Sequence, residues 1–111
     1  MYVEKYIKRD FRVDSFALAA IEGLINNAKR QGVDVVLFLS PLQRTFATED
    51  ANDKQVAVAR DLAKKHWILL MNYSGNNTEF GQRDAWWTDS GHMNRDGAEA
   101  LSRLVARDLR N

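Results

Sequence analysis

Only two histidines occur in the 111 residues, His66 and His92, and the second stands three positions after an aspartate in Asp89-Ser90-Gly91-His92. Two intervening residues let a tight turn bring the carboxylate to one imidazole nitrogen. That contact fixes the tautomer and steadies the imidazolium that forms when the other nitrogen takes a proton. Gly91 supplies the turn. The bland alternative is that Asp89 caps a turn and His92 is a surface residue near a helix start.

Other side chains with chemical potential are more scattered. Trp86 and Trp87, just ahead of the Asp-His pair, offer flat apolar walls for an acyl or sugar pocket, or simply pack the end of a sheet. Arg44 lies in the loop after the first strand, on the rim where an anionic substrate would arrive. Ser40 ends that strand but precedes Pro41 and lacks the glycine neighbours of a nucleophile turn. Ser90 would be turned away by the same turn that pairs Asp89 with His92, while Ser74 reads as a loop serine and Ser102 as a helix serine. His66, beside Lys64 and Lys65, reads as a cation at a helix end. Two histidines without any cysteine leave only carboxylates to complete a metal site, so none is expected,.

Asp89 to Ala98 reads Asp-Ser-Gly-His-Met-Asn-Arg-Asp-Gly-Ala. This string resembles the last conserved block of the SGNH (GDSL-type) hydrolases, where the Asp and His of a Ser-His-Asp triad stand three apart, followed by a hydrophobic residue, Asn, and Gly-Ala opening the final helix. The apolar strand ending at Pro41 is similar to the one before the active-site proline loop in cell-envelope members, which act in polysaccharide O-acetylation and teichoic-acid D-alanylation. The resemblance spans Gly32 to Leu109, but only the last block is specific. It implies acyl transfer without a cofactor, on an ester or acylated carbohydrate, with His92 as general base and then acid and Asp89 as its orienting carboxylate. The family's nucleophile serine and its oxyanion donors belong to Gly-Asp-Ser, Gly and Asn blocks that this sequence does not contain.

The elements needed to hold these residues follow from pattern. Met1 to Val13 shows no sustained period and is expected as an arm or short helix ahead of a single α/β domain over residues 14–111. Asp14 or Ser15 offers a cap for a helix with Phe16, Ala19, Ala20, Leu24 and Ala28 on its inner face, ending at Gly32. Val33 to Leu39 is expected as a buried parallel strand stopped at Ser40-Pro41. Asp50 or Asn52 would cap a second helix with Val56, Ala59, Leu62 and Ala63 inward, and Trp67 to Met71 a second strand. Asn72 to Gln82 reads as a surface loop, and Arg83 to Asn94 has no period. The final helix, Arg95 to Leu109, capped by Asn94 or Asp96, turns Ala98, Leu101, Leu104, Val105 and Leu109 inward.

This alternation predicts an α/β fold with a small parallel sheet flanked by helices. With the family resemblance it becomes a partial three-layer α/β/α arrangement, SGNH-hydrolase-like and flavodoxin-like. Two parallel strands make a poor sheet, so the expected partners are a missing amino-terminal half or a second copy paired through an exposed edge. Sixteen Lys and Arg against fifteen Asp and Glu, scattered along the chain, give no electrostatic argument for nucleic acid or for an anionic membrane, and no nucleic-acid partner is expected,. No apolar run approaches the roughly 20 residues of a membrane span, so direct insertion is not expected. Compartment is open on composition, with the cell envelope implied only by the resemblance. Two functions are carried forward: the Asp-His half of a serine esterase or acyltransferase, and a non-catalytic binding or assembly domain, with carbohydrate as a candidate ligand.

Overall fold

Four apolar residues in extended conformation form strand β1 (Val36–Leu39), which pairs in parallel with strand β2 (Leu69–Asn72), Val36 opposite Leu69 through Leu39 opposite Asn72. A parallel pair requires a long crossover, and helix α2 (Glu49–His66) provides it. The computed structural model describes residues 14–46, 48–75 and 77–110, so the expected arm over 1–13 lies outside it. The described chain is a small α/β unit. Its remaining elements are helix α1 (Ser15–Arg30), short helix α3 (Glu79–Gln82), a 3-10 turn (Asp84–Trp86), strands β3 (Trp87–Asp89) and β4 (His92–Met93), and helix α4 (Arg95–Arg110). No helix among the described residues is long and apolar enough to cross a membrane.

The core lies along α2, where Val56, Ala59, Leu62 and Ala63 are buried as their spacing predicts, together with Ala51 and with Met71 of β2. The cap of α2 differs from expectation. Thr48 Oγ1 accepts the Ala51 N–H at 3.0 Å, and Asp50 stands in the first turn, where its charge favours the helix dipole,. Strand β2 also starts later than expected, because Trp67 is the left-handed C-cap of α2, with φ 56°. Its N–H and that of Ile68 both turn back to the Ala63 carbonyl.

Helix α1 is capped by Asp14, whose Oδ1 accepts the N–H groups of Phe16 and Ala17, and the chain leaves it through Gly32 at φ 74°. Its inner face is not the expected one. Ile25 is buried and Leu18, Glu22 and Ala28 are half-buried, whereas Phe16 is 87% and Leu24 70% exposed. Apolar residues ring this helix, so spacing alone does not select a side. Polar contacts at its far end select it: Glu22 Oε1 meets Lys65 Nζ at 2.7 Å and His66 Nε2 at 2.8 Å, and Lys29 donates to the His66 carbonyl. These bonds hold the Ile25 side toward α2. The Lys65 and His66 contacts, in that order, keep the Glu22 carboxyl below its usual range.

Helix α4 buries its stripe only in part: Leu101, Leu104 and Val105 are half-buried, while Ala98 and Leu109 are exposed. Its far end is tied to the residue after β2 by Tyr73, whose hydroxyl donates to Asp108 Oδ2 at 2.6 Å and whose pKa is pushed up to about 12 by burial and then by that carboxylate. The expected burial of β1 on both faces is not reached, since Val36 and Phe38 are exposed, as is Leu69 on β2. The cause is strand count. Among the described residues β1 and β2 pair only with each other, leaving an open backbone edge on each side,.

The orientation of α1 gives a direct check. Ile25→Ala is expected to cost about 2 kcal/mol as a buried truncation, and Leu24→Ala to stay within roughly 0.5 kcal/mol. Denaturant unfolding of the two variants, compared with the parent, measures both.

Candidate active site

The stretch from Arg83 to Asn94, which shows no period, gains its order from the backbone. The 3-10 turn leads into an antiparallel hairpin in which Trp87 opposes Met93 and Asp89 opposes His92. Opposite placement in the hairpin sets the pair. His92 Nδ1 lies 2.8 Å from Asp89 Oδ1 and 3.1 Å from Oδ2, and the same Oδ1 accepts the Gly91 N–H at 2.8 Å. A carboxylate only accepts, so Nδ1 carries the proton and Nε2 holds the free lone pair. The imidazole side chain is 80% exposed. Among the described residues Nε2 has no partner, leaving it open to a proton donor.

The Asp89 carboxyl is held below its ordinary value of 3.8, first by the His92 hydrogen bond and then by the Gly91 N–H. That lowering favours the ionised carboxylate, and the arrangement is an oriented, charge-supported base,.

Three features position the hairpin. Asn94 caps α4 by accepting the Gly97 N–H at 3.0 Å, donates its side-chain amide to the Ala85 carbonyl at 2.6 Å, and gives its own N–H to the Trp86 carbonyl at 2.9 Å. Gly97 allows this closeness, because a Cβ there would lie 2.5 Å from the Trp86 carbonyl oxygen. Phe46, from the loop after β1, covers Gly91, with its ring 3.3 Å from where a Cβ would stand.

The other candidates divide. Trp86 packs on Phe80 with ring centroids 4.9 Å apart and lies under the Arg83 guanidinium at 4.3 Å, while Trp87 donates its indole N–H to the Phe80 carbonyl at 2.7 Å. Both rings brace the segment just before the Asp-His pair. Arg44 pairs with Asp84 at 2.8 Å, and Gln43 donates to the same carboxylate at 3.0 Å; these contacts, Arg44 first, lower the Asp84 pKa. Arg44 thus staples the loop after β1 to the 3-10 turn, on the rim that carries the hairpin. Ser40 is exposed beside buried Pro41, and among the described residues no hydrogen bond joins it to His92. Ser74 is buried and donates to Asn72 Oδ1, and His66 is taken up by Glu22. Among the described residues no group of three or more His, Asp or Glu side chains is arranged for a metal ion.

Sequence reasoning missed Phe46 and the Gln43–Asp84–Arg44 staple. An aromatic residue in an otherwise polar loop was the available signal for Phe46. Nothing in the sequence marked Asp84, forty residues from its partner Arg44.

Comparison with protein-family models, with curated proteins and with solved structures finds no match for this chain.

Two outcomes follow from the site's geometry. By carbon-13 NMR the Asp89 carboxyl should titrate below 3.8, and His92→Ala should raise its midpoint toward that value while the Gly91 N–H keeps some depression. Because its folded pKa is lowered, the stability it contributes is present above the unfolded value and is lost as pH falls through the folded one. An unchanged midpoint in the variant would mean that the pair does not form. Gly97→Ala should destabilise by about 2 kcal/mol, read from the thermal midpoint, since backbone is what the new methyl would strike.

Proposed function

We propose that this chain supplies the Asp-His half of an SGNH-like acyl-ester hydrolysis or transfer site, with the nucleophile serine contributed from outside it. The observation that carries the reading is the Asp89 carboxylate bridging the Gly91 N–H and His92 Nδ1, with the His92 side chain exposed to solvent. The resemblance of Asp89 to Ala98 to the family's last block supports it, as does the placement of the pair just ahead of the final helix. On this reading the two-stranded sheet is the carboxyl-terminal portion of a wider α/β/α sandwich, and the parent protein acts in the bacterial cell envelope.

The chemistry runs through this chain's own atoms as follows. A serine hydroxyl attacks an ester carbonyl while His92 Nε2 takes its proton. Asp89 stabilises the imidazolium formed and holds the ring in place. The tetrahedral intermediate expels the alcohol, which leaves with the proton from Nε2 and an acyl-serine behind it. Water or a sugar hydroxyl, deprotonated by the same nitrogen, then accepts the acyl group. The first intermediate needs oxyanion donors that also come from outside.

Intact-mass measurement after incubation with a fluorophosphonate tests where the serine lies. The chain alone is expected to give no adduct. A His92-dependent adduct would place an activated serine within it and overturn the external-serine proposal. If joining a Gly-Asp-Ser-bearing segment to the chain also yields no labelling that depends on His92, the acyl-transfer reading fails as a whole.

A further inference from the structure

At the end of the molecule opposite the Asp-His hairpin, one residue breaks two rules at once. Trp67 adopts a left-handed backbone conformation that non-glycine residues reach only at a cost, and its side chain packs on little, being 92% exposed,. Such a position ordinarily goes to Gly or Asn after a helix. A large indole held there gains nothing from the fold that would offset the strain. An observed outlier of this kind is a reason to look for a function.

The surroundings of Trp67 are polarised. One flank of α2, facing α1, carries Asp61 and Lys65 with Glu22 close by. The other flank, facing the free edge of β2, carries Arg60 and Lys64 one turn apart, in an open groove with Trp67, Ile68 and exposed Leu69. No acidic residue lines that groove, and among the described residues neither cation is paired with a carboxylate. Lys29, drawn in by its bond to the His66 carbonyl, and the neighbouring Arg30 bring the basic end of α1 to the same end of the molecule. Two cations without a carboxylate partner among the described residues, an exposed indole and two aliphatic side chains thus share one open groove.

We propose that this corner docks the protein peripherally on an anionic bilayer surface. An amphipathic indole without a surrounding pocket suits the headgroup layer, where Trp concentrates. Arg60 and Lys64 can lay their stems along the apolar groove and keep their charges among lipid phosphates. Protein hot spots, by contrast, lie in packed pockets sealed from water, which a fully exposed corner does not offer. Strands β1 and β2 both run away from this end toward the loop that carries Phe46 and Arg44. Docking here therefore leaves the Asp-His hairpin facing away from the membrane. The proposal does not depend on the acyl-transfer reading.

The test is co-sedimentation of the full chain with phosphatidylglycerol vesicles and, in parallel, phosphatidylcholine vesicles. Binding to the anionic vesicles alone, weakened by salt, is expected. Arg60→Gln with Lys64→Gln should weaken it by about five-fold per charge removed. Trp67→Gly, which keeps the left-handed cap and should fold at least as well, should weaken it at least five-fold, while Arg103→Gln on the exposed side of α4 should leave it unchanged. Absence of binding to anionic vesicles at low salt would overturn the proposal. So would binding indifferent to Trp67, Arg60 and Lys64, which would assign it to another part of the chain. Self-association that depends on Trp67, seen by ultracentrifugation without lipid, would replace the membrane with a second copy.

Discussion

Everything in this fold hangs on burying one stripe of α2 against two parallel strands. Ala51, Val56, Ala59, Leu62 and Ala63 supply much of the buried apolar surface, and the crossover they stabilise is what allows β1 and β2 to pair at all,. Small residues dominate the stripe, so the helix approaches the sheet closely but buries little area per residue. With so thin a core, α1 and α4 are held as much by polar bonds at their ends as by packing, through Glu22 with Lys65 and His66 and through Tyr73 with Asp108. Among the described residues both edges of this sheet stay open for the same reason. Two strands cannot satisfy both faces and both edges of a parallel sheet.

The Asp-His pair is brought together in spite of its exposure because its geometry is local. Asp89 and His92 face each other across a hairpin, and Gly91 turns its N–H onto the same oxygen that meets the imidazole. Longer-range contacts then orient the hairpin as a unit. Asn94 bonds to the backbone on either side of it, Gly97 lets α4 start against the Trp86 carbonyl, and Phe46 covers the turn from the loop after β1. An oriented base of this kind is half of a nucleophilic site, and its other half is a hydroxyl that must reach Nε2 from the open side.

The two ends of the molecule differ in character. The rim after the strands gathers Asp89, His92, Trp86, Trp87 and the Arg44–Asp84 staple, with most charges paired and most indole surface in contact. The opposite end presents a strained and exposed Trp67 beside Arg60 and Lys64, neither of which has a carboxylate partner among the described residues. Local rules of cap and burial hold through most of the chain, and their failure at Trp67 is what distinguishes that corner.

Much of this was legible in the residues alone. The stripe of α2, the narrowing of two caps to Asp14 or Ser15 and to Asn94 or Asp96, the stop at Pro41, the extent of the last helix and the pairing of Asp89 with His92 all follow from short-range spacing, where chain geometry leaves few alternatives. What the sequence could not decide was set by contacts between distant segments. Phe16 and Leu24 satisfy a helical period as well as Ile25 does, and only the Glu22 and Lys29 bonds to the end of α2 settle which side turns inward. Trp67 reads as the first residue of a strand, yet the helix before it runs on to His66 and leaves Trp67 as its left-handed cap. Arg44 reads as a solvated cation on the rim that could meet an anionic substrate, whereas Asp84, forty residues away, meets it across the rim. Spacing fixes what lies within a turn or a hairpin, and only the packed chain decides which of several equally patterned faces is buried.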